Sequence, residues 1–217
     1  MTSLRQQTEA QIEKTRQAKP EFMQAIDDIM ATARSFAEGK EALETGQKAP
    51  DFSLPDAAGN TVSLSQLLKE GPVVLNFYRG SWCPYCNLEL KALQERLPEI
   101  KKLGATLVAI SPEVPDESLS PEAIANLTFP VLSDQDAQVA AKYGIAWQVP
   151  ELILEHMRAD RNLDLKQINN GNGSVLPIPA TFVLDGQGIV RWRHVDVDYR
   201  KRAEPDDILA ALAALAD

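Results

Sequence analysis

Two cysteines stand close together in Trp82-Cys83-Pro84-Tyr85-Cys86, directly between an apolar run, Val73 to Tyr78, and an amphipathic stretch from Cys86 to Lys102. The first run is dense in β-branched and aromatic residues, which suits a strand buried on both faces. In the second, Leu90, Leu93, Leu97 and Ile100 recur at helical spacing, and Glu89, Lys91 and Glu95 are expected to face outward. Thr106 to Ile110 reads as another strand. Strand, helix, strand is the crossover unit of a parallel sheet, so both thiols are expected where a strand ends and a helix begins.

That position has chemical consequences. The first turn of a helix presents N–H groups without helical acceptors, and their field favours a thiolate over a thiol. A free cysteine ionises near pKa ~8.5, so a lowering of one to several units makes a nucleophile at neutral pH. Two intervening residues in a helical turn bring the sulfurs within bonding reach, and one cysteine can then resolve a sulfenic acid or mixed disulfide formed on the other. Pro84 helps start the helix and removes a donor that the first turn would orphan. Trp82 and Tyr85 can border the sulfurs as a shallow apolar surface. A Cys-x-x-Cys pair can also be half of a zinc site, but the chain has only these two cysteines and two histidines, His156 and His194. A redox pair is therefore expected, with no metal and no cofactor. His156 is expected exposed on an insertion helix and His194 at the surface after the last strand, neither as a catalytic base.

The 217 residues, 44% of them hydrophobic, suffice for one substantial core with extensions. With 31 acidic against 22 basic side chains the chain carries a formal charge of -9, which disfavours nucleic-acid binding. Met1 to Ala10 holds no cationic segment followed by an apolar run, and no apolar run approaches membrane-spanning length, so a cytoplasmic protein not integral to a membrane is expected.

Residues 1–45 read as a helical extension. Phe22, Ile26, Ile29, Ala33 and Phe36 share one face of a helix, and Pro20 implies two helices or a kink near Ala18. That stripe needs a cover, either the catalytic domain of the same chain or a second subunit, and the latter would make a homodimer. Residues 46–217 read as the catalytic domain, a central mixed β-sheet flanked by helices. It includes a helix over Glu117 to Asn126, another over Asp136 to Tyr143, and an insertion over about 147–175 that covers one edge of the core. Thr181 to Leu184 and Ile189 to Val195 form a hairpin around Asp185-Gly186-Gln187-Gly188. Asp196, Asp198, Tyr199, Arg200, Lys201 and Arg202 read as a solvated connection to a last helix that starts near Pro205 and buries Ile208, Leu209, Leu212 and Leu215. Pro179, just before the late strand, is expected to be cis and to bring its backbone toward a neighbouring loop.

Lys48-Ala49-Pro50-Asp51-Phe52-Ser53-Leu54-Pro55, then Asn76-Phe77-Tyr78-Arg79 with Cys86 and Glu89, and finally Pro179 to Asp185 with Gly188, resemble the peroxiredoxin family in its alkyl-hydroperoxide-reductase and thiol-specific-antioxidant branch. The resemblance covers roughly Gly46 to Leu215 and implies an α/β, thioredoxin-like fold. The stretch from Phe77 to Cys86 has the family's length, which puts Cys86 on the peroxidatic cysteine, Cys83 on a threonine, Pro84 on a proline and Glu89 on a glutamate of the family pattern. Arg79 stands where the family usually has proline, and Pro179 where it usually has an active-site arginine. Trp82-Cys83-Pro84-Tyr85-Cys86 instead looks like a thioredoxin or glutaredoxin site.

The resemblance implies a thiol-dependent peroxidase. Cys86 would attack hydrogen peroxide or an organic hydroperoxide, Cys83 would close a disulfide, and thioredoxin or another dithiol donor would reduce it. Arg79, or Arg191 reaching over from the hairpin, would offset charge on the leaving oxygen. Two alternatives stand beside it: a thiol-disulfide oxidoreductase in which Cys83 attacks a protein disulfide and Cys86 resolves it, and a redox-sensing interaction module without turnover.

Overall fold

The computed structural model describes residues 2–35, 39–114, 126–171 and 173–215. Its centre is a five-stranded mixed sheet in the order β5-β4-β3-β8-β9, made by β3 (Val73–Phe77), β4 (Thr106–Ser111), β5 (Val131–Ser133), β8 (Ala180–Leu184) and β9 (Val190–Val195). β3, β4 and β5 run parallel, whereas β8 is antiparallel both to β3 and to β9. Every residue of β3 and β8 is buried, as their largely apolar sequences require. Asn76 and Thr181 are the polar exceptions, and the Asn76 amide donates to Thr181 Oγ1 of β8 at 3.1 Å.

Helix α4 (Pro84–Lys102) is the crossover from β3 to β4, and Leu90, Leu93, Leu97 and Ile100 are buried as their spacing predicts. Glu89 is not outward: it is 2% exposed. It lies three residues after Cys86 and one before Leu90, which places it on the helix's buried face. A two-stranded antiparallel sheet, β1 (Ser53–Pro55) with β2 (Thr61–Ser63), leads into the short helix α3 (Leu64–Leu67), capped by Ser63. Helix α5 (Gln138–Lys142) follows β5, and Gly144 after it takes a φ of +69°. The predicted helix over Glu117 to Asn126 falls on 115–125, outside the described residues, apart from Asn126.

The insertion has its own structure. β6 (Ala146–Gln148) pairs with β7 (Val175–Pro177), and between them lie α6 (Glu151–Arg161) and α7 (Leu165–Asn169). The chain ends on α8 (Pro205–Ala213), with Pro205 at its first turn and Ile208 and Leu212 buried. None of the described helices is long and apolar enough to cross a membrane.

The arm is two helices, α1 (Leu4–Ala18) and α2 (Pro20–Ser35), broken at Lys19 before Pro20. Ser3 caps α1 in a reciprocal box with Gln6. On α2, Ile26, Met30 and Ala33 are buried in the same core as β3 and β8. The arm's apolar face is thus covered within the chain, which removes the feature that called for a second subunit. Phe36 lies outside the described residues.

The segment after β9 is not a solvated connection. Tyr199, Asp198, Arg200 and Arg202 are all buried, because the arm folds over them. Arg200 donates to Asp198 Oδ1 at 2.7 Å and to Asp27 Oδ1 of α2 at 2.6 Å, and Arg34 of α2 meets Asp198 at 3.0 Å. The Glu204 carboxylate accepts from the free N–H groups of Leu4 and Arg5 at the start of α1. Both arm helices therefore hold the strip that carries Tyr199 and Arg202, and that strip reaches the cysteines.

Candidate redox site

Cys83 is the N-cap of α4 and Pro84 its first residue, so the chain turns from β3 into the helix through Arg79-Gly80-Ser81-Trp82. That loop is pinned at several points. Glu113, beyond the end of β4, accepts from Ser81 N at 2.7 Å and from Ser81 Oγ at 2.6 Å, and Asn87 Nδ2 donates to Ser81 O at 2.8 Å. Gly80 has a φ of +150°, and a Cβ there would lie 2.2 Å from Trp82 Nε1. Gly80→Ala is therefore expected to push the indole off its place and to cost about 1–3 kcal/mol of stability, read by urea unfolding. An unchanged midpoint with unchanged Trp fluorescence would show that the loop yields freely.

Both cysteines are reduced, with Cys83 1% and Cys86 0% exposed. Their surroundings differ. Cys83 lines a cleft of about 300 Å³, and Cys86 lies behind it without contributing to the lining. Burial raises the Cys83 thiol, but the hydrogen bond from Cys86 and the charges of Arg79 and Arg202 outweigh this and hold it well below the ordinary thiol range. Burial and the bond it gives to Cys83 push Cys86 well above that range, although Arg202 opposes them. The two directions favour charge on Cys83 over charge on Cys86.

Arg202 is the residue that sequence reasoning missed. Its Nη2 donates to Cys86 Sγ at 3.3 Å and to Tyr199 O at 2.7 Å, and its Nη1 to the Glu89 carboxylate. Burial works against its charge, but Cys86 and Glu89 outweigh burial and hold the guanidinium protonated. Burial raises the Glu89 carboxyl, with Arg202 opposing. A glutamate on the buried face of α4 was the available signal, since a carboxylate there needs a cation from elsewhere in the chain.

The structure places most of the expected supporting residues together. Trp82, Pro84 and Tyr85 line the cleft. Arg79 is 3% exposed and lies between two rings, 4.9 Å from the centroid of Trp82 and 4.1 Å from that of Tyr199. Tyr85 meets Tyr199 edge to face at 5.7 Å. Arg191 is not at the site: it is exposed on β9 and paired with Asp185 at 2.7 Å. The register explains this, because Phe77 at the site end of β3 sits across from Ala180 and Val195, and Arg191 belongs to the opposite end of the hairpin. Pro179 is trans, since the described peptide bonds include no cis one. It is buried at the start of β8, where a missing N–H costs no ladder bond, and it does not line the cleft.

The walls of the cleft come from outside the strand-thiol-helix unit. Lys19, Phe22 and Met23 of the arm line it together with Ile153, Met157 and Arg161 of α6. His156 is not exposed as expected. It stacks on Phe22 with ring centroids 3.7 Å apart, lines the cleft, and pairs with Asp160. Burial lowers its pKa, so its ring is mostly neutral near neutral pH. His194 lies within β9 rather than after it, with a buried Nε2 that has no partner.

Comparison with known proteins gives a consistent neighbourhood. The AhpC/TSA family model matches residues 45–193. A thiol-disulfide oxidoreductase ResA of Geobacillus kaustophilus is 36% identical over 140 residues, 63% of this chain and 75% of that protein. A putative peroxiredoxin of Mycobacterium tuberculosis is 36% identical over 102 residues, which span 47% of this chain and 64% of the relative. Among solved structures, peroxidoxin BcpB from Mycobacterium tuberculosis superposes with a TM-score of 0.61 at 27% identity, covering 80% of this chain and 98% of that one. The reduced 2-Cys peroxiredoxin of Plasmodium vivax shares the fold, with a TM-score of 0.60 at 20% identity, over 80% of this chain and 82% of its own.

Proposed function

Because this chain belongs to the AhpC/TSA family, with the family domain over residues 45–193, we propose that it is a thiol peroxidase that reduces hydrogen peroxide or organic hydroperoxides through Cys83 and Cys86. The observation that carries this reading is the placement of Cys83 on a small cleft, its thiol held low by the Cys86 hydrogen bond and the charges of Arg79 and Arg202, with Cys86 behind it. A cysteine that is 1% exposed suits a small oxidant better than a folded protein's disulfide.

Cys83, rather than Cys86 as the family resemblance implies, makes the first attack in this proposal. The Cys83 thiolate bonds to one peroxide oxygen and the O–O bond breaks. Cys83 becomes a sulfenic acid and the other oxygen leaves as alkoxide or hydroxide, taking a proton from water. Arg79 stands beside the reacting sulfur without a carboxylate partner among the described residues, placed to offset that charge. Cys86 then bonds to the Cys83 sulfur, its proton leaves with the hydroxyl as water, and a disulfide results. A thiol reductant returns both cysteines to the starting state.

The Arg202 bond to Cys86 favours a second reading, in which Cys86 attacks first and Cys83 resolves. Peroxide consumption by Cys83→Ser and Cys86→Ser separates the two. With Cys83 first, Cys83→Ser consumes none, whereas Cys86→Ser consumes one equivalent, stops, and yields a sulfenic acid to dimedone. The reversed pattern assigns the attack to Cys86. If neither the parent nor either variant consumes peroxide while Cys86→Ser traps protein mixed disulfides, the chain is a thiol-disulfide oxidoreductase, the activity named for its ResA relative.

A further inference from the structure

We propose that the cleft over Cys83 takes a small thiol bearing its own negative charge, and that such a thiol, rather than a protein dithiol, reopens the Cys83–Cys86 disulfide. This rests on the reading above only in requiring that the disulfide form.

The first ground is charge. In a chain with a formal charge of -9, the ionised side chains lining the cleft, once Cys83 is in its disulfide, are Lys19, Arg79 and Arg161, all cationic. Arg161 donates to the carbonyl of Trp82 at 2.8 Å, and among the described residues no carboxylate pairs with it or with Arg79. Lys19 meets Asp160 at 3.6 Å, but both side chains are about half exposed, so that pair leaves much of the lysine's field in place. The second ground is hydrogen bonding. Arg79 Nε and Trp82 Nε1 are buried donors without acceptors, and both residues line the cleft. Buried donors without partners are uncommon, and two at one site ask for a ligand rich in acceptors.

The third ground is access. The volume of about 300 Å³ is at the small end for ligand pockets. It is walled by α6 and by arm helices held in place by the Asp27–Arg200 and Glu204–Leu4 contacts, so a folded donor could present a thiol to Cys83 only by displacing them. A small thiolate carrying a carboxylate meets no such obstacle. Its sulfur approaches Cys83 beside Arg79 and its carboxylate reaches Lys19 and Arg161 at the mouth.

The exchange balances with two such thiols. The first thiolate bonds to Cys83 Sγ, the Cys83–Cys86 bond breaks, and Cys86 leaves as thiolate and is protonated. The second attacks the sulfur of the bound thiol, releasing a small-molecule disulfide and the Cys83 thiolate. Two small thiols are oxidised and one protein disulfide is reduced.

The test uses the full chain with its disulfide made by diamide, so the result does not depend on peroxide turnover. Mercaptopropionate, mercaptoethanol and cysteamine are compared at matched thiolate concentration, because their thiols ionise differently. The anionic thiol is expected to open the disulfide about tenfold faster than the cationic one, with the neutral thiol between them. In Lys19→Gln/Arg161→Gln this ratio falls toward one, and Lys19→Arg alone retains it. Cysteamine equalling mercaptopropionate, a ratio unmoved in the double variant, or thioredoxin outpacing mercaptopropionate at equal concentration would each overturn the proposal. If diamide leaves both thiols free, this proposal and the dithiol mechanism fall together. If the charge preference holds while no peroxide is consumed, only the peroxidase reading falls.

Discussion

Replacing Arg202 by methionine is expected to cost this protein about 3–5 kcal/mol, the range for breaking a buried ion pair by removing one partner. The Glu89 carboxylate would be left on the buried face of α4 with its cation gone, and the Tyr199 carbonyl would lose two donors from the same guanidinium. Burial already raises the Glu89 carboxyl with Arg202 in place, so its removal drives Glu89 to take up a proton. Urea unfolding of Arg202→Met, Glu89→Gln and the double variant measures this. The double variant is expected to recover most of the loss, because an amide facing an apolar side chain leaves no buried charge. A single variant losing less than about 1 kcal/mol, or a double variant no better than the single, would mean that the pair is not what holds the Tyr199–Arg202 strip against α4.

The second large effect is on rate. Arg79→Leu is expected to slow Cys83 oxidation by about 10²–10³-fold, the cost of losing one preorganised charge beside the reacting atoms. The same change removes one of the charges that hold the Cys83 thiol below its ordinary range, so the pH dependence must move in a fixed direction. In the parent protein, alkylation of Cys83 should persist as pH falls below the usual thiol range and decline only on crossing the lowered pKa. In Arg79→Leu the decline comes at higher pH. Arg79→Lys should restore part of the rate, since it keeps a charge and loses the flat stacking between Trp82 and Tyr199. A slower rate with an unmoved pH midpoint would mean that Arg79 only shapes the cleft.

These two arginines mark how far the sequence could be read. Arg79 sits four residues before Cys83, in a loop whose ends are fixed by β3 and α4, and its place near the sulfurs follows from that. Arg202 reaches Cys86 from 116 residues away, in a charge-rich run that reads as solvated. His156 was misplaced for a related reason. A histidine on an amphipathic helix reads as exposed until a second helix, here α2 with Phe22, is laid against it. Arg191 fails in the opposite sense, because only the pairing register shows which end of a hairpin faces the site.

What the sequence by itself determined is local. Period-two and period-3.6 patterning, the break at Pro20, the turn at Asp185 to Gly188 and the proline after Cys83 set the strand-thiol-helix unit, the two-helix arm and the late hairpin. Such signals act between residues a few positions apart. Only the tertiary structure decided which thiol faces the cleft, that arm and insertion wall it, and that a buried Arg202–Glu89 pair backs Cys86. The reason is physical: burial, and with it the sign and size of every charge effect on the two sulfurs, depends on what packs over them, and those residues come from the arm, the insertion and the segment after β9.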